Sequence, residues 1–227
     1  SETAKMNKII IVVCEGNSEY AYLQELNRFL RENEMPLYFK GEVSDGGDFS
    51  KVNSCFRGNQ KNNVKMHIVV WVDNDIYKRN DRGYRDAYAK KPQGIPDFKF
   101  NYENFEDFLV MHLPDDKVSD WQTICNNKGH FTNPLHSAQY LPLLSSAIFP
   151  NYKKGTLPES LTINTESLHN LKCHNHDKTI PFRSDFAEFM IEEIARAKES
   201  VLKNERMITS FSTTPTNSVI PPCFPSQ

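Results

Sequence analysis

Residues 9–19, IIIVVCEGNSE, carry an unbroken apolar run, Ile9–Cys14, straight into Glu15 and Gly16. The stretch 67–75, HIVVWVDND, repeats the arrangement and ends on Asp73 and Asp75. An apolar run of this length without polar alternation reads as a strand buried on both faces, as in a parallel sheet covered by helices on either side. Each run therefore delivers its acids to the carboxyl edge of that sheet, where open α/β sheets place their chemistry. Carboxylates gathered there repel one another unless a divalent cation holds them together, so the pattern predicts a metal site.

Working outward, a helix is expected from about Ser18 to Asn33, with Tyr22, Leu26, Phe29 and Leu30 at helical spacing. Ser18 or Asn17 would cap it, and Glu19 in its first turn would point back to the edge that holds Glu15. Leu37–Val43 reads as a second strand, followed by the turn Asp45-Gly46-Gly47-Asp48, a short helix ending near Arg57, and a third strand over Met66–Val72. Asp97–Tyr102 alternates like a strand, and Asn104–His112 reads as a helix closed by Pro114. The order β-α-β-α-β-loop-β-α predicts an α/β fold with a doubly wound, mainly parallel sheet. Pro134, Pro142, Pro150 and Pro158 punctuate residues 114–183, for which an irregular helical insertion is expected. A long helix over Asp185–Arg206 follows, with Phe186, Phe189, Met190, Ile194, Val201 and Leu202 on one side and Asp185/Glu188 as a capping box. The expected organisation is a leader over 1–8, a core over 9–113, the insertion and C-terminal helix over 114–206, and a Ser/Thr/Pro-rich, disordered tail over 207–227.

With 227 residues, 38% hydrophobic and 25% charged, the chain can bury one good core with an elaboration. No apolar run reaches membrane-span length and no signal-peptide pattern is visible, so a cytoplasmic address without a membrane partner is expected. Cys14, Cys55, Cys125, Cys173 and Cys223 are scattered without CxxC pairing and read as reduced thiols. His169, Cys173, His174 and His176 form a dense donor cluster, but the second spaced pair of a zinc finger is missing. Trp71 and Trp121 read as core packing, Cys14 as an inert buried thiol, and the lack of GxxxxGK[ST] assigns any ATP hydrolysis to a partner.

A net charge of −2 does not favour nucleic-acid binding, yet the charge is uneven. Lys78, Arg79, Arg82, Arg85, Lys90 and Lys91 stand against Asp81 and Asp86 and alternate with Tyr77, Tyr84 and Tyr88. Taken alone this is a solvated charge run; beginning just after Asp75, it reads as a loop that grips a nucleic-acid backbone.

Four features then occur in order: Glu15-Gly16 followed by Glu19, Asp73-x-Asp75, Phe105-Glu106 at the head of a helix running into LVMHL, and Tyr152-x-Lys154-Gly155. Together they resemble the RloB-like Toprim proteins. These are small bacterial defence-associated members of the Toprim superfamily, related to the nuclease halves of OLD enzymes, of the PARIS effector and of some retron reverse-transcriptase fusions. The resemblance covers roughly residues 9–190, and its motifs are specific only as an ordered set. Asn101-Tyr102-Glu103 stands where the family has Ser-Asn-Pro, so a ligand supplied by that serine has no counterpart.

The resemblance implies a Toprim-type fold and a nuclease that hydrolyses phosphodiester bonds with Mg²⁺ or Mn²⁺. Glu15, Glu19 and Glu106 would gather one ion, Asp73 and Asp75 would hold the other or share it, and Lys154 would stabilise charge on the phosphate. From the charge run itself, and not from the resemblance, Lys78, Arg79, Arg82 and Arg85 are expected to contact nucleic acid, with Lys153 as a further contact. On local chemistry alone, Glu15 and Asp73 at the ends of buried runs are hard to explain as surface acids. Glu19 and Glu106 also fit as helix-start charges, and Lys154 as a loop lysine. The PARIS and retron relatives attack transfer RNA and OLD relatives cut DNA, so RNA is narrowly favoured as substrate. The implied setting is antiphage defence with an ATPase or a retron reverse transcriptase as partner. The rival expectation is a catalytically silent Toprim-fold interaction module held by such a partner, against which the intact acidic set argues. A small-phosphate enzyme of flavodoxin-like topology would need a glycine-rich loop after the first strand, and CEGNSEY has one glycine.

Overall fold

The computed structural model describes residues 8–46, 49–75 and 98–212. The strands are β1 (Lys8–Cys14), β2 (Leu37–Val43), β3 (His67–Asp73), β4 (Phe98–Tyr102) and β5 (Arg183–Ser184). The helices are α1 (Asn17–Glu32), α2 (Phe49–Asn62), α3 (Phe105–Val110), α4 (Asp115–Asn127), α5 (Ser137–Ala147), α6 (Thr165–His176) and α7 (Asp185–Ser212). The sheet order is β2-β1-β3-β4-β5; the first four strands are parallel and β5 runs antiparallel beside β4. The four longer strands lie within a residue of the positions read from the sequence.

The two apolar runs lack polar alternation because they are the central neighbours β1 and β3, covered on both faces. Ile10, Val12, Cys14, Val69 and Trp71 enter the larger core, which also takes side chains from α1 and from α3 to α7. Ile11, Val13, Ile68, Val70 and Val72 enter a smaller core with Val52 and Phe56 of α2. From β1 the chain moves to β2 on one side and then to β3 on the other, so the strand order reverses between β1 and β3. This is the topological switch point of an open α/β sheet, and Glu15 and Asp73 stand on either side of it.

Several local expectations are corrected. Helix α1 starts behind an extended Gly16, whose N–H donates to Glu19 Oε2 at 3.1 Å, so neither Asn17 nor Ser18 is the cap. Helix α2 continues past Arg57 to Asn62, and α3 ends at Val110, two residues before the expected His112. Residues 114–183 are not irregular: they hold α4, α5 and α6, whose Trp121, Tyr140, Leu144 and Leu171 are fully or almost fully buried. Pro134, Pro150 and Pro158 mark connections, as prolines do, but Pro142 lies inside α5, where burial of Tyr140 and Leu144 holds the turn despite the missing N–H. At the start of α7, Ser184 Oγ accepts the Ala187 N–H (3.1 Å). Asp185 instead binds the Phe100 N–H (3.3 Å) and the Tyr102 hydroxyl (3.2 Å), and Glu188 is exposed. Helix α7 passes Arg206 and runs to Ser212, about 42 Å in all at the usual rise. Its apolar stripe leaves the core after Ala197, and Leu202 is 52% exposed. Strand β5 was not read from the sequence because two residues carry no periodicity. Cys14, Cys55, Cys125 and Cys173 are free thiols; Cys223 lies outside the described residues.

The segment 114–183 is locked to the sheet by Asp107 of α3. Its Oδ2 accepts from His130 Nε2 (2.9 Å) and from the Glu103 and Asn104 N–H groups, and its Oδ1 from the Trp121 indole (2.7 Å). His130 Nδ1 accepts the Leu135 N–H (3.0 Å), which fixes the imidazole proton on Nε2. Cys125 completes a close trio with these two, but His130 and Asp107 are already spent on hydrogen bonds, so the group is a structural clamp. Asp107→Ala should cost about 3–5 kcal/mol in urea denaturation, because four buried donors lose their acceptor at once. A loss below about 1 kcal/mol would contradict the clamp.

Candidate metal centre

Three elements bring carboxylates to the switch point: Glu15 just past β1, Glu19 in the first turn of α1, and Asp73 closing β3. One oxygen from each lies within 4.8 Å of the other two. Each acid is tethered at one oxygen. Glu15 Oε2 accepts the Asp73 N–H (2.9 Å), Glu19 Oε2 the Gly16 N–H (3.1 Å), and Asp73 Oδ1 the Asn101 amide (3.1 Å). Asn101 is itself held, its Oδ1 accepting from Trp71 Nε1 (2.9 Å) and Ser184 Oγ (2.8 Å).

Burial dominates the electrostatics. It pushes Glu15 up to about 7, with the charges of Asp75 and Glu106 adding to the effect and the Asp73 N–H and Lys154 opposing it. Burial together with the neighbouring Glu15 and Glu106 pushes Glu19 up to about 8, and Asp73 is raised well above its ordinary value for the same reasons. Left to themselves, these acids cannot all ionise at neutral pH; a cation among them would reverse that.

The trio opens into a cavity of about 510 Å³ also lined by Asp45, Glu106 and Lys154. Glu106 is 1% exposed and both its oxygens are engaged, Oε2 by the Tyr140 hydroxyl (2.8 Å) and Oε1 by the Tyr152 hydroxyl (3.1 Å). Lys154 Nζ stands 5.4 Å from the centre of the Tyr140 ring, and the next residue, Gly155, donates its N–H to Ser18 Oγ at 2.8 Å. Lys154 is exposed along its side chain, and although desolvation at the cavity lowers its pKa, Glu106, Asp73, Asp75 and Glu15 outweigh that and hold the ammonium above its usual range.

Of the residues expected at the site, Glu15, Glu19, Asp73, Glu106 and Lys154 all line this cavity. The carboxylates of Glu106 and Asp75 stand outside the close trio; Asp75 is buried beside it, its N–H donating to Glu103 O (3.0 Å). Lys153 is exposed and does not line the cavity. Lys78, Arg79, Arg82 and Arg85 lie outside the described residues. The sequence reading missed Tyr140, Asn101, Ser18 and Asp45. Only Asp45, in the Asp45-Gly46 turn, carried a local signal, and it takes a left-handed φ of 59° there. The donor-rich stretch of α6 is divided: His174 turns inward to Met111 O (2.7 Å) and Asp115 (2.8 Å), leaving His169 and Cys173 together at 3.5 Å. Among the described residues no helix is long and apolar enough to cross a membrane. No family model matches the chain, and no curated protein or solved structure does.

Proposed function

We propose that the protein is a divalent-metal-dependent nuclease of Toprim type, in which Glu15, Glu19 and Asp73 hold Mg²⁺ or Mn²⁺ and Lys154 faces the scissile phosphate. The observation that carries this reading is the convergence of two buried acids, Glu19 and Asp73, and the half-buried Glu15 from three separate elements, each with only one oxygen tethered, beside a charged lysine in one cavity. The donors are all hard carboxylate oxygens, which suits Mg²⁺ or Mn²⁺ and not zinc. When bound, such an ion supplies Lewis acidity toward a phosphoryl oxygen and an acidified water. The chain's own residues do the rest: the first turn of α1 positions Glu19, the Asn101 bridge aims Asp73, and the Lys154 ammonium neutralises charge that builds on the phosphate. The resemblance to RloB-like proteins supports RNA narrowly over DNA as substrate, a role in antiphage defence, and an ATPase or reverse-transcriptase partner.

Metal binding is the first test. Mn²⁺ at about a hundred times its dissociation constant should raise the melting midpoint by about 5–10 °C over EDTA, since a ligand of the folded state stabilises it by mass action. An unchanged midpoint at millimolar Mn²⁺ would overturn the site. Cleavage of labelled transfer RNA and of supercoiled DNA, with the partner present, tests the chemistry. Metal binding without cleavage of either would favour the silent interaction module.

A further inference from the structure

Glu106 differs from the other acids of the cavity. Glu15, Glu19 and Asp73 each keep an oxygen within the close trio, whereas Glu106 lies outside it with a tyrosine hydroxyl on each oxygen. The same tyrosines bracket Lys154. Tyr140 presents its ring to the ammonium, and Tyr152 stands two positions earlier on the loop whose Gly155 N–H is bonded to Ser18 of α1. The loop is therefore fastened at both sides, to the first turn of α3 through Tyr152 and Glu106 and to the first turn of α1 through Gly155 and Ser18.

We infer that Glu106, Tyr140 and Tyr152 form a positioning frame for Lys154, with Glu106 as the anchor that both tyrosine hydroxyls hold and not as a metal ligand. This rests on the nuclease reading for the use made of Lys154, though not for the frame itself. A lysine on an exposed loop carries a large rotamer freedom that must be lost before its charge can meet a phosphate, and fastening loop and ammonium beforehand removes that cost from the reaction.

The test compares Glu106→Gln, Tyr140→Phe, Tyr152→Phe, Lys154→Ala and Asp73→Asn in the full chain by three measurements. In Mn²⁺ calorimetry the Glu106 and tyrosine variants should bind within about twofold of wild type, while Asp73→Asn loses about tenfold to a hundredfold. Metal-free hydrogen exchange of the peptide over 151–157 should accelerate about tenfold in Glu106→Gln and Tyr152→Phe, because a local opening becomes cheaper. In single-turnover cleavage Glu106→Gln should slow the reaction as much as Lys154→Ala does, with KM little moved, and the double variant should be no slower than either alone. Loss of Mn²⁺ affinity in Glu106→Gln equal to that in Asp73→Asn overturns the inference, as does unaltered exchange over 151–157. If wild type neither binds Mn²⁺ nor cuts, the nuclease reading fails while the exchange measurement still decides the frame.

Discussion

Asp73→Asn should lower the single-turnover cleavage rate by about a thousandfold or more while making the metal-free protein more stable. Both effects follow from one carboxylate. Asp73 is buried against Glu15 and Glu19, so removing its charge relieves repulsion in the empty site and removes a ligand from the loaded one. The pH dependence has a definite sign. Glu15 and Glu19 titrate in the fold at about 7 and about 8, above their ordinary 4.5, so what they contribute is fully present below 4.5 and is lost as pH rises through 7 to 8. Metal-free wild type should therefore melt progressively lower from pH 6.5 to 8.5; Asp73→Asn should flatten that slope. Saturating Mn²⁺ should reverse it, since binding displaces protons and tightens with pH. The window matters because His112, desolvated and held at about 4, destabilises the fold only as pH falls below its ordinary 6.5. Differential scanning calorimetry across that range reads both trends. Full cleavage by Asp73→Asn would remove the acid from the mechanism, and a melting midpoint independent of pH would contradict the buried, repelling trio.

Lys154→Ala should reduce the cleavage rate by about a hundredfold to a thousandfold with KM little changed, comparable with deleting one preorganised oxyanion donor. The neighbouring Lys153→Ala should stay within about twofold, because that side chain, unlike Lys154, does not line the cavity. The pair controls for loop charge in general. Equal rates for wild type and Lys154→Ala would dismiss the lysine, and equal losses for both variants would mean that diffuse positive charge, not one placed ammonium, is what the substrate meets.

The central sheet was legible because its signal is local and strong. Ile9–Cys14 and Ile68–Val72 read as strands, and from Ile10 and Ile68 onward they are buried on both faces, their ends carrying Glu15 and Asp73 to the edge where the strand order reverses. Helix α1 with Glu19 in its first turn was readable for the same reason. Caps were less so. Gly16 rather than Ser18 starts α1, because Glu19 reaches back to its N–H, and Ser184 rather than Asp185 starts α7, because Asp185 is drawn to β4.

Residues 114–183 mark the boundary between the two kinds of information. Their prolines read as disorder of pattern, yet α4, α5 and α6 form there, because helices stabilised by packing on α3 and α7 need no strong periodicity of their own. That segment supplies Tyr140 and Tyr152, whose hydroxyls reach Glu106 across 34 and 46 positions of chain, and Lys154, whose ammonium lies over the Tyr140 ring. By itself the sequence determined the mainly parallel sheet and the presence of acids at its carboxyl edge, since apolar periodicity and strand ends are properties of short stretches, whereas the strand order that makes this edge a switch point came from the tertiary structure. Which acids share one space, which oxygens stay untethered and what holds Lys154 were decided only by the tertiary structure, because hydrogen bonds and burial between distant residues leave no trace in local pattern.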